Sequence, residues 1–114
     1  MIEKHLDFNV LSALREFMAD EYPALLDTFL KDSEERLQAL HEAGDASQLI
    51  DTAHSFKGSS SNMGAVRLAQ LCHELEQRAR ETGPATLKQL VRAIDCEFAR
   101  VRPHYQAERQ RFHR

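Results

Sequence analysis

Leu49-Ile50-Asp51-Thr52-Ala53-His54-Ser55-Phe56-Lys57-Gly58-Ser59-Ser60-Ser61-Asn62-Met63-Gly64 is the stretch on which the fold of this chain turns. Local propensity makes its second half a loop, because glycine, serine and asparagine are weak helix residues. Phase points the other way. Leu49, Ala53, Phe56, Ser60 and Met63 follow steps of four, three, four and three, so one inward face persists through the serine run. Gly64 stands where a helix-ending glycine belongs. The pattern predicts one uninterrupted helix over 46–63, with the small residues letting neighbours approach closely.

On that helix His54 defines a different face. At about 100° per residue, Ile50, Lys57, Gly58 and Ser61 cluster around it, and the inward set lies well away. An outward imidazole with a lysine one turn on and a glycine beside both suits a nucleophile. Such a group needs access, a cation for any phosphate it acquires, and clearance for an incoming protein. A glycine inside a helix costs about 0.5–1 kcal/mol relative to alanine. A local rule broken at that cost points to function.

The flanking segments read as helices too. Asp7 is placed to cap a short helix from about residue 7 or 8 to Met18, its apolar face formed by Val10, Leu11, Leu14, Phe17 and Met18. Pro23 opens a second helix with Leu26, Phe29, Leu30, Ser33, Leu37 and Leu40 in one stripe, ended by Gly44. Asp45 is placed to cap the next. Leu68, Leu71, Cys72, Leu75 and Ala79 mark another, closed by Gly83-Pro84. The last carries Leu87, Leu90, Val91, Ile94, Phe98 and Val101, and the stripe continues to Tyr105 and Phe112. Pro103 within it predicts a kink or a local break. The fold class expected is all-α: an antiparallel four-helix bundle with a short additional N-terminal helix. One domain over 1–114 is expected, its bundle core at about 22–102 and a basic C-terminal extension at about 103–114.

Composition sets the outer bounds. The 114 residues are 42% hydrophobic and 29% charged with a formal net charge of −3, which fits one ordinary domain and excludes a kinase domain joined to a second domain. No apolar run reaches membrane-spanning length, and no signal peptide is evident. Cys72 and Cys96 lack metal-ligand spacing, so a cytoplasmic protein without metal or disulfide is expected. Cys72 belongs to an apolar stripe and Cys96 lies opposite one. The charge is split: residues 1–51 carry net −8 and the remainder +5, the halves meeting near His54. The basic end, Arg100 to Arg114, interleaves with Asp95, Glu97 and Glu108, which favours a solvated helix over a nucleic-acid contact. His5, His41, His73, His104 and His113 are read as surface residues, and Ser59 and Ser60 as packing residues.

The string from Ala53 to Gly64 resembles the signature of histidine-containing phosphotransfer (HPt) domains, AH-x-(L/F)-KG-(S/A)-(S/A)-x-x-(L/M)-G. Leu68-Ala69-Gln70-Leu71-Cys72-His73-Glu74-Leu75-Glu76 resembles that family's following helix, and Phe29 to Leu37 the preceding one. The likeness covers roughly residues 7 to 101. Phe56 stands where leucine is commoner, a conservative change at an inward position.

The resemblance implies a phosphorelay carrier. His54 would accept a phosphoryl group from a receiver-domain aspartate and pass it to another receiver, through the ring nitrogen farther from the backbone. Lys57 would offset the phosphate charge, Ser61 and Asn62 would add hydrogen bonds, and Ile50, Gly58 and Ser61 would face the partner. The expected partners are the receiver domains of a hybrid sensor kinase and of a response regulator. Mg²⁺ would belong to the receiver, leaving this chain a free-standing monomer with no cofactor of its own, no autokinase activity, and no nucleic-acid or membrane partner. Two other readings share the bundle. One is an unphosphorylated helical adaptor working through the same face. The other is a cofactor-binding bundle, which needs ligands pointing inward, whereas His54 points out.

Overall fold

A computed structural model describes residues 1–112 of the chain. His113, expected on the surface, and Arg114, the end of the basic stretch, lie outside the described residues. Five α-helices follow in order: α1 (Phe8–Met18), α2 (Tyr22–Glu42), α3 (Ala46–Asn62), α4 (Val66–Arg78) and α5 (Pro84–Arg111), with short 3-10 turns at Ile2–Lys4 and Ala19–Glu21. No strand occurs among the described residues. Helices α2 to α5 form the bundle. The links between them are too short for anything but antiparallel neighbours. Each helix packs on the next, and α5 closes the ring against α2.

The local signals act as the sequence leads one to expect. The Asp7 carboxylate accepts from the backbone N–H groups of Asn9 and Val10, and that of Asp45 accepts from Gln48. Each satisfies donors that the first turn of a helix leaves open. Helix α3 runs unbroken through Gly58 and the three serines. Ala53, Phe56, Ser60 and Met63 are buried beneath it, and Leu49 packs at the core's edge. Tertiary burial of this face overrides weak propensity. Gly64 then takes φ +75°, and a Cβ there would lie 2.9 Å from the Asp7 carbonyl oxygen. The Asp7 N–H donates to the Gly64 carbonyl at 2.8 Å, so only glycine lets the N-terminal segment pass this close.

Three expectations need correction. Of the kink or local break expected at Pro103, the break does not occur: α5 continues through it to Arg111. The segment from residue 103, expected as an extension outside the core, is therefore the final turns of α5 for as far as it is described. Tyr105 is fully buried there, its ring tilted against Phe29 at a centroid separation of 4.8 Å. Burial of Tyr105 and packing of Phe112 on the core supply more apolar contact than one missing backbone hydrogen bond removes. Phe17, placed on the inner face of α1, is instead 85% exposed. A short surface helix buries one narrow stripe, and Leu11, Leu14 and Met18 occupy it. His5 is not a plain surface residue either. Its Nδ1 lies 2.7 Å from Glu97, a carboxylate otherwise buried on α5.

The end of α3 is anchored from across the bundle. The buried Tyr105 hydroxyl donates to the Met63 carbonyl at 2.6 Å. Cys72 sits in the core, where burial pushes its thiol up to about 12, and Cys96 is exposed; both are free.

Candidate functional site

Helix α3 carries His54 on its outer side, as phase dictates once Ala53 and Phe56 are buried. The imidazole side chain is 68% exposed. It leans toward α4, where Glu76 Oε2 lies 2.7 Å from His54 Nδ1. Lys57, one turn on, donates from Nζ to Glu76 Oε1 at 2.8 Å. The two oxygens of one carboxylate thus hold the two residues singled out on α3. His73, one turn before Glu76 on α4, brings its Nδ1 to 3.4 Å from Lys57 Nζ. An ammonium only donates, so Lys57 is the donor in this contact and His73 Nδ1 the acceptor.

Glu76 is only 15% exposed, against the open His54. The Lys57 ammonium holds its carboxyl below the usual carboxylate range, with the His54 hydrogen bond adding to the effect and burial opposing it. Glu76 is therefore ionised at neutral pH and can only accept. Its bond to His54 puts a proton on Nδ1, which leaves the lone pair of a neutral ring on Nε2, the outer nitrogen. Glu76 selects the tautomer and fixes the ring's direction.

Of the other anticipated residues, Gly58 and Ser61 are exposed on the same side of α3 and Ile50 is half-buried there. A Cβ at Gly58 would meet nothing within 4 Å. The expected close approach of a neighbouring helix is therefore absent at Gly58, and its smallness leaves clearance above the helix. Ser60 is the small residue that packing uses. Ser55, beside His54, accepts from Arg36 Nε of α2 at 3.1 Å. Glu76 and His73 carried no role in the sequence reading. The available signal was their three-residue spacing on the flank of the α4 stripe. Among the described residues no group of three His, Cys, Asp or Glu side chains forms a metal site.

The family profile for the Hpt domain matches residues 24–103, which include α3 and α4 entirely and most of α2 and α5. The chain belongs to the Hpt domain family. It is 33% identical over 75 residues to the phosphorelay protein LuxU of Vibrio vulnificus, in both strain YJ016 and strain CMCP6. That alignment takes in 63% of this chain and 65% of the relative, so the chain matches slightly under two thirds of the relatives' length. The crystal structure of histidine-containing phosphotransfer protein B (HptB) from Pseudomonas aeruginosa PAO1 superposes with a TM-score of 0.90 at 55% identity. It covers 96% of this chain and 97% of that one. In this Hpt domain, then, the four-helix bundle expected from periodicity is the architecture found, and no helix among the described residues is long and apolar enough to cross a membrane.

Proposed function

We propose that this Hpt domain is a phosphorelay intermediate that takes a phosphoryl group onto His54 from a receiver-domain aspartate and hands it to a second receiver. The observation that carries this reading is the Glu76 bond to Nδ1 of an exposed His54, which leaves Nε2 as the nucleophile. The Nε2 lone pair attacks phosphorus, the bond to the aspartyl oxygen breaks, and the aspartate carboxylate leaves. The Nδ1 proton stays in place, so the ring gains positive charge, and the ionised Glu76 stabilises it. Lys57 stands within one turn to balance the phosphoryl oxygens. The reverse sequence returns the group.

Phosphoryl transfer of this kind requires positioning and charge neutralisation more than covalent help. The receiver supplies the Mg²⁺ and the acidic pocket, and this chain acts as a monomeric cytoplasmic carrier without autokinase activity. Donor and acceptor are the receivers of a hybrid sensor kinase and of a response regulator. Gly58, Ser61 and Ile50 lie under the incoming domain.

Incubation with a receiver domain phosphorylated by acetyl phosphate tests the reading. Acid-labile, alkali-stable label should appear on the wild type and be absent from His54→Gln. Equal labelling of the two proteins, or no label on wild type from the cognate kinase receiver, overturns it. Partner binding without any label would identify an adaptor instead.

A further inference from the structure

The surface beside His54 is electrically lopsided. On the α4 side Glu76 holds the Lys57 ammonium, and His73 lies beside that ammonium. On the α2 side an open groove of about 490 Å³ runs between α2 and α3, reaching Ser55 next to the histidine. Asp32 and Glu35 of α2 and Asp51 of α3 line it. These carboxylates differ from their neighbours on α2. Asp27 and Glu34 are each paired with an α5 arginine, Arg109 and Arg102. Asp32, Glu35 and Asp51 have no ion-pair partner among the described residues. Arg36 shares the groove, but its Nε is turned to Ser55.

Any domain that brings a phosphoaspartate over His54 must also cover ground within one or two turns of it, and the groove lies there. Unpaired charges at the rim of an interface steer association and reject like-charged partners, while adding little affinity once screened. We propose that Asp32, Glu35 and Asp51 are specificity-determining residues, which select receiver domains presenting Lys or Arg side chains beside the phosphorylated aspartate. This rests on the carrier reading above. The carboxylates flank the reacting atoms without touching them, so they govern which receiver docks and how fast, and leave the chemistry at Nε2 alone.

The test compares two forms of one receiver domain charged with acetyl phosphate: the natural form with basic side chains flanking its acidic pocket, and a form with those changed to Gln. At low ionic strength wild-type chain should accept from the basic form about tenfold faster, and the preference should shrink as salt rises toward about 0.5 M. The Asp32→Asn/Glu35→Gln/Asp51→Asn variant should show little preference and a flat salt dependence. Its labelling by phosphoramidate, a donor too small to dock, should match wild type, which also shows that the variant is folded. A preference unchanged in the variant, a salt-insensitive wild-type rate, or slowed phosphoramidate labelling overturns the proposal. Absence of transfer to wild type from either receiver form, by contrast, counts against the carrier reading itself.

Discussion

Glu76 on α4 accepts from Nδ1 of His54 on α3 across 2.7 Å, and the same carboxylate holds Lys57 at 2.8 Å. One buried-edge acid therefore sets the tautomer of the His54 ring and the resting place of the Lys57 ammonium. Removal by Glu76→Ala should free the ring to turn and to carry its proton on either nitrogen. Misdirection of a reacting atom by about 1 Å can cost about 100-fold. Receiver-to-chain transfer should fall roughly 10- to 100-fold with the bundle intact, as followed by rapid-quench labelling and circular dichroism. Wild-type rates in this variant would remove Glu76 from the chemistry.

The same carboxylate gives acid sensitivity with a definite sign. Lys57 and His54 hold the Glu76 carboxyl below its ordinary value of 4.5 in the folded chain. The unfolded chain therefore takes up this proton more readily. The resulting stabilisation is complete above about pH 4.5 and is lost as pH falls through the folded value. Urea midpoints at pH 6 and pH 3.5 should draw closer together in Glu76→Gln than in wild type. An equal gap in both proteins would contradict the assignment.

Gly58 separates stability from docking. Its missing Cβ would touch nothing in the chain, so Gly58→Ala should raise stability by about 0.5–1 kcal/mol through helix propensity alone. Gly58→Leu should fold as well but stand in the path of a receiver. Transfer from a receiver should drop at least about tenfold, while phosphoramidate labelling of His54 stays at the wild-type level. A Leu variant that accepts normally from receivers would show that nothing docks over Gly58.

Tyr105 lies beyond the proline and yet serves the far end of α3. Tyr105→Phe removes the donor to the Met63 carbonyl and leaves that buried group short of a partner. A loss of about 1–3 kcal/mol is expected in chemical denaturation, with transfer rates unchanged where the protein remains folded. A neutral result would mean the bond adds nothing net.

The sequence alone determined which faces of α2 to α5 are buried. The step pattern from Leu49 to Met63 carried α3 through Gly58 and the serines, because the register of apolar side chains is a property of the chain itself. It also placed His54, Lys57, Gly58 and Ser61 together, since residues three and four apart on one helix are neighbours whatever surrounds them. Phe17 and Pro103 mark where such local rules gave way. A wide apolar face on α1 had only a narrow stripe to bury, and Tyr105 and Phe112 had enough core contact to carry α5 past its proline. What only the tertiary structure decided is which neighbour each flank meets. His73 and Glu76 border the inward stripe of α4, and periodicity cannot say whether that border faces α3 or α5. Packing of α3 against α4 in this bundle turns it toward His54. The exposed His54 is thus written in one helix, and the carboxylate that orients its ring is delivered by the next.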